Sequence, residues 1–303
     1  MKKGLLVLLV LVLTISVCGC KKSETLIAAE DAIKAIGTVT VDSGDAIKKA
    51  EDAIAKLTEE DKEKFKMNDD FEAIKTEYQN VVTEAEAAKV VDAISKMGEA
   101  SMDNLESVND AQKKYDALSD DAKALVSNYN ILKSAQEKLS AEKKAKADEL
   151  LSTMKLDEDR VRNLKFYYPQ GWRHYSDGWA ADIKSFVLPY IGIQGDDVWL
   201  RMVCNYTDDD WVFFKKITFS VDGKNYYKFF SYNDVVRDNE AGDVWEYVDI
   251  EVEDNEINIL SAIANSTETI VRFEGDNYYR DVTISDTDKK GIADALLVYQ
   301  LLK

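Results

Sequence analysis

Three kinds of residue in this chain carry groups capable of chemistry: one histidine, three cysteines and 57 acids set against 39 lysines and arginines. His174 stands in Arg173-His174-Tyr175-Ser176-Asp177, with serine, histidine and aspartate close together in sequence. A catalytic triad gathers these groups from separate parts of a fold around a strained, glycine-flanked nucleophile turn, and no such turn is present. The stretch reads as a surface loop. Cys204 as a nucleophile would need a histidine partner and surroundings that lower its pKa. Its alternation with Leu200 and Met202 instead predicts a buried, inert thiol on an apolar strand face. A glycosidase acid pair needs carboxyls converging about 5 to 10 Å apart, and no motif singles out such a pair. Asp196 and Asp197 precede one predicted strand while Asp208, Asp209 and Asp210 follow it, about 30 Å away, so they make no single calcium site. Asp286-Thr287-Asp288 lacks the later acids of a calcium loop and reads as a helix N-terminus. The sequence predicts no catalytic residue, no metal and no cofactor.

Two stretches have the chemistry of binding. Tyr167, Tyr168, Trp172, Tyr175 and Trp179 are the densest aromatic group outside an alternating strand. Such rings either stack on sugars and partner side chains or cover the open end of a sheet as core. Asp249, Glu251 and Glu253 alternate with Val248, Ile250 and Val252 inside a run, Asp238 to Glu256, that has no lysine or arginine. They form either an acidic face that docks a basic partner or weakly holds a divalent ion, or the solvated side of a strand.

Cys20 has another chemistry open to it. Lys2 and Lys3 precede an apolar run from Gly4 to Val17, too short to span a bilayer comfortably, and Val17-Cys18-Gly19-Cys20 follows. This is the pattern of a bacterial lipobox, in which the bond before the cysteine is cut and the cysteine is acylated. The expectation is a signal peptide over residues 1–19, a lipidated tether over 20–24 starting at Cys20, and Cys204 as the one remaining thiol. Two or three acyl chains hold a protein firmly where one alone is marginal.

The elements that must position these groups fall into two composition zones. From Thr25 to about Leu151 there is no tryptophan or proline, and alanine, lysine and glutamate dominate, as in helices. Sliding the chain by 61 residues lays Asp31-Ala32-Ile33-Lys34-Ala35-Ile36-Gly37 over Asp92-Ala93-Ile94-Ser95-Lys96-Met97-Gly98, and the offset holds through Tyr78 on Leu139. Each copy keeps amphipathic spacing: Ile47, Ala50, Ile54 and Leu57, then Val108, Ala111, Tyr115 and Leu118. Gly37 and Gly98 suit helix ends, Asp42 and Asp103 are placed to cap a second helix, and Thr58 and Ser119 carry capping-box patterns. The pattern predicts two three-helix modules, residues 25–87 and 88–156, sharing a helix from about Asp69 to Met97. From about Ala29 to Leu139 it resembles the short helical repeats that many Gram-positive surface proteins carry between a cell anchor and a larger domain. That resemblance names no ligand: the modules either bind a partner through their exposed faces or act as a spacer, and the spacer is favoured because stacked helices need their apolar stripes for their own cores.

All five tryptophans, both prolines and the histidine lie beyond Leu164. Residues 157–303 are predicted to form a mainly antiparallel, sandwich-like α+β domain. Strands are expected at Phe186 to Ile193, around Leu200 to Tyr206, at Ile217 to Val221, Asn225 to Phe230, Val244 to Val252, Thr269 to Phe273 and Tyr278 to Ile284. Helices are expected from about Asn255 to Ala264 and from about Thr287 to Leu302, the latter with a capping box at Ser285 and Asp288. Asp222-Gly223 signals a two-residue hairpin. The stretches Asp159-Arg160-Val161, Phe166-Tyr167-Tyr168-Pro169, Pro189-Tyr190-Ile191-Gly192, Val198-Trp199-Leu200-Arg201, Asp209-Asp210-Trp211 and Val271-Arg272-Phe273-Glu274-Gly275 resemble a domain that recurs in uncharacterised bacterial secreted and cell-surface proteins. The resemblance implies the fold and no activity.

At 46 % hydrophobic and 32 % charged the composition is that of folded protein. A net charge of −18, with no basic run interleaved with aromatics, excludes the footprint of a nucleic-acid binder. It also keeps the body off anionic lipid, so the membrane is reached through lipid on Cys20. The expectation is an extracytoplasmic, membrane-anchored, non-enzymatic lipoprotein whose helical modules present a binding domain to a cell-envelope or extracellular protein or glycan. The competing classes are a carboxylate-based cell-wall enzyme and a solute-binding lipoprotein of a transporter, which would show strand-helix alternation in two lobes.

Overall fold

A computed structural model describes residues 22–174 and 182–303. The first half of the described chain is helical; the second is mainly antiparallel sheet closed by a C-terminal helix. Two compact units emerge, one reaching Glu99 and including Glu106–Ser134, the other made of Ala100–Leu105 and Ala135–Lys303.

Along the helical part run α1 (Glu24–Lys34), a 3₁₀ turn at Val41–Ser43, α2 (Gly44–Ile54), α3 (Glu59–Lys64) and α4 (Asn68–Lys96). A second 3₁₀ turn at Met102–Asn104 is followed by α5 (Leu105–Asp116), α6 (Asp120–Ala124) and α7 (Tyr129–Leu151). The two 3₁₀ turns start at 41 and 102, and the helices after them at 44 and 105, 59 and 120, and 68 and 129. Gly37 and Gly98, at φ +63° and +76°, take the left-handed conformation that ends a helix at little cost to glycine.

The caps differ from expectation. Asp42 and Asp103 lie inside the 3₁₀ turns, and reciprocal capping boxes are made by Thr40 with Ser43 and by Ser101 with Asn104. Because the chain enters through a 3₁₀ turn, the first free N–H groups come earlier than a plain α-helix would place them. Thr58 does cap α3, accepting from the Asp61 N–H at 3.2 Å. The Asp61 carboxylate, however, accepts from Ser23 Oγ and Thr25 Oγ1, each at 2.7 Å, which hold it below the usual carboxylate range. That buried acid ties α3 to the start of α1, while Ile33, Ile36, Val39, Ile47, Ala50 and Phe71 form a core among α1, α2 and α4.

In the second unit come β1 (Lys155–Asp159), β2 (Leu164–Tyr168), β3 (Phe186–Gln194), β4 (Asp197–Asp208), β5 (Lys216–Val221), β6 (Lys224–Phe229), β7 (Val236–Glu240) and β8 (Asp243–Glu251). Then follow α8 (Asp254–Ala264), β9 (Thr269–Glu274), β10 (Tyr279–Thr283) and α9 (Asp286–Leu302). One antiparallel sheet has the order β1-β2-β3-β4-β8-β7 and the other β10-β9-β5-β6. Strands β1, β2 and β7 are additions to the expected set; the polar edge strands β1 and β7 carry no apolar alternation, as befits edges that discourage further pairing. The Asp222-Gly223 turn forms as expected, with φ +46° and +83° at its two central residues.

Leu200, Met202, Cys204 and Tyr206 of β4 share a core with Ile217, Phe219, Val271 and Phe273 of the second sheet. Tyr206 and Phe273 meet at 5.7 Å between ring centroids. The alternation predicted for β4 is only half its story: Val203 and Asn205, on its other face, are buried as well, since β4 is central and covered on both sides. Along α9, Ile292, Ala295 and Val298 are buried. Gly291 lets that helix close on the chain after β2, where an added Cβ would stand 2.6 Å from the Gln170 carbonyl oxygen.

The link from β4 to β5 is organised by one buried carboxylate. Glu246 of β8, fully buried, accepts from the N–H groups of Val212, Phe213 and Phe214 at 2.7, 2.6 and 2.9 Å, and from Arg237 Nε at 3.1 Å. A buried charge is tolerated when its lone pairs are filled in this way. The clamp holds Phe213 at φ +52°, a conformation unfavourable for a residue with a side chain.

Candidate functional site

The predicted aromatic group divides. Trp172 is 6 % exposed and packs against Tyr168, Phe186 and Tyr190 with ring centroids 4.6, 5.0 and 5.7 Å away. Its indole is core, because β2 and β3 bring three other rings around it. Tyr168 is half-buried, its hydroxyl pushed up to about 12 by burial. Tyr167, the residue before it in β2, falls on the opposite face by strand alternation. Tyr175, Trp179 and Cys20 lie outside the described residues, as do Ser176 and Asp177.

His174 is not a surface-loop residue. It is 8 % exposed, its ring 4.6 Å from that of Tyr247, and burial pushes its pKa down to about 4. Cys204 is fully buried and its thiol is pushed up by loss of solvent, as its strand face predicts. The acidic ladder is broken up by its surroundings. Asp249 accepts from Tyr190 Oη at 2.9 Å and Arg201 Nε at 2.8 Å, so its charge is spent within the sheet. Glu251 ends β8, exposed. Glu253 has left the strand and forms a reciprocal capping box with Glu256 at the start of α8.

Another surface gathers unspent groups. On the outer face of the second sheet, strand register aligns three rows across four strands. The middle row is Tyr227, Thr218, Arg272 and Asp281; Phe229, Lys216, Glu274 and Tyr279 lie to one side, and Asn225, Ser220, Ile270 and Thr283 to the other. These residues face outward because Ile217, Phe219, Val271 and Phe273, at the alternate positions, are fully buried. Most of them line a groove of about 360 Å³.

No family model matches this chain, and no curated protein or solved structure matches it.

The chemistry of the outer face therefore rests on its own geometry. Arg272 holds Asp281 through two parallel bonds, Nε to Oδ1 at 2.7 Å and Nη2 to Oδ2 at 2.8 Å, which keeps that carboxyl below its usual range. The same guanidinium lies 4.1 Å from the Tyr279 ring centroid. Lys216 Nζ bonds Glu274 at 3.0 Å and lies 5.3 Å from the Tyr227 ring. Among the described residues, the side chains of Thr218, Ser220 and Asn225 have no protein hydrogen-bond partner. This face is hidden in the sequence because strand residues opposite a core read as solvated. The hairpin at Asp222-Gly223 was the available signal, since a two-residue turn fixes Tyr227 opposite Thr218.

Proposed function

We propose that this protein is a membrane-anchored extracytoplasmic lipoprotein whose β-rich unit binds a cell-envelope or extracellular partner on the outer face of its second sheet. The observation that carries the reading is the groove there, where the Thr218 hydroxyl lies between the exposed rings of Tyr227 and Tyr279, and Ser220 and Asn225, also without protein partners, lie in the next row. In this reading the helical part is a pair of three-helix modules acting as a spacer, and the two sheets form a sandwich-like body. The equal spacing of the helix starts supports the modules, and α4, with 29 residues, supplies about 43 Å of rigid length. Anchoring rests on the lipobox-like Val17-Cys18-Gly19-Cys20. Binding is favoured over hydrolysis because the groove acids are engaged by cations: an acid catalyst needs a raised carboxyl pKa, and Arg272 lowers that of Asp281.

Two measurements test this. Cys20→Ala should release the chain from membranes into the medium and abolish labelling by fatty acid. The full chain carrying Cys20→Ala should be retained by cell wall freed of membrane, and adding Tyr227→Ala with Tyr279→Ala should lose that retention while keeping the thermal stability of the Cys20→Ala chain. Retention unchanged in the folded double variant would remove the outer face as the site.

A further inference from the structure

We infer that the outer face of β10-β9-β5-β6 takes an uncharged, polyhydroxylated ligand: a short stretch of neutral glycan lying across the strands. The inference rests on the binding reading above and names its ligand class.

Charge argues first. The face carries two cations and two carboxylates, and each is already matched, Arg272 to Asp281 and Lys216 to Glu274. An anionic ligand would have to take a cation from its carboxylate, and a cationic ligand the reverse, with nothing to compensate the group left behind. A neutral ligand leaves both pairs intact and uses the lone pairs and N–H groups that they leave open.

Hydrogen bonding argues second. Thr218, Ser220 and Asn225 sit on adjacent strands β5 and β6, each offering both donors and acceptors. A cluster of two-way groups suits hydroxyls, which both donate and accept. A protein partner would call for an apolar centre ringed by polar groups. Here the centre is Thr218 and Arg272, and the rings are at the margins.

Those rings argue third. Tyr227 and Tyr279, 49 % and 54 % exposed, stand on the outermost strands β6 and β10. Three inter-strand gaps and one row separate them, about 15 Å, the span of a short oligosaccharide. Phe229, 73 % exposed, adds a third ring beside Lys216. The apolar face of a sugar ring packs on such a side chain while its equatorial hydroxyls reach Thr218 between the rings and Ser220 and Asn225 in the row beside it.

The test is an array of uncharged and anionic oligosaccharides probed with the full chain in nonionic detergent, followed by titration calorimetry on the strongest hit. The expected result is binding to uncharged glycans only, insensitive to added salt, and weakened about tenfold by either Tyr227→Ala or Tyr279→Ala in a folded protein. Thr218→Val should weaken it without changing stability. Preference for anionic glycans, with affinity falling as salt rises, would overturn the proposal. So would an array without hits if envelope protein is still captured through Tyr227 and Tyr279; the face would then stand as a site with a protein as its ligand. If neither glycan nor envelope binding depends on these tyrosines, the binding reading falls along with the glycan.

Discussion

Two faces of the β-rich unit gather aromatic rings and use them in opposite ways. Around Trp172 the rings meet each other, Tyr168 and Tyr190 at 5.3 Å and Trp172 and Phe186 at 5.0 Å, and close the surface. On the outer face of the second sheet they meet cations instead, with the Tyr279 and Tyr227 rings 4.1 and 5.3 Å from Arg272 and Lys216, and stay half in solvent. Crowded aromatics satisfy one another and become core. Aromatics spaced by strand alternation, with polar neighbours on either side, keep a face to offer.

The contrast breaks most readily at Trp172. Trp172→Ala should cost about 3 to 5 kcal/mol through the cavity it leaves, read as a lowered urea midpoint. Tyr190→Phe, which removes the bond to Asp249, should cost about 1 to 2 kcal/mol in the same measurement. Acid should act on the closed face through His174. Its folded pKa, about 4, lies below the unfolded value near 6.5, so the unfolded state binds more protons between them and stability falls as pH drops through that window. The His174→Gln variant should lose that part of the slope. Since His174 is the single histidine, its titration can be followed by proton NMR without overlap. At the small end, Tyr227→Ala and Tyr279→Ala should each move stability by no more than about 0.5 kcal/mol. A large loss there would mean that the outer rings are also structural and would erase the distinction.

Much of the fold was legible because local chemistry decides it. Asp222-Gly223 dictates a tight turn, Gly37 and Gly98 permit left-handed backbone, and the alternation through Leu200, Met202 and Cys204 marks a buried face. What escaped depends on partners distant in sequence. Thr40 and Ser101 outcompete Asp42 and Asp103 as caps because of a 3₁₀ entry that spacing does not reveal. Glu246 sits in an acidic run that looks solvated, and only the approach of Val212 to Phe214 and Arg237 makes it a buried anchor. The outer face required knowing that β9 and β10 flank β5, so that Arg272 and Asp281 line up with Thr218 and Tyr227. Density of aromatics was the visible signal, and it pointed to a packing centre.

The Glu246 clamp also bears on the order of assembly. Its carboxylate lies 32 to 34 residues along the chain from the three N–H groups it binds, so the link between the sheets is fixed only after β8 has docked beside β4. The β3–β4 and β5–β6 hairpins can form before that. Glu246 is therefore expected to act late on the folding route. In stopped-flow experiments Glu246→Gln should speed unfolding strongly while leaving the refolding rate nearly unchanged, which makes this one side chain a latch on the lifetime of the folded state.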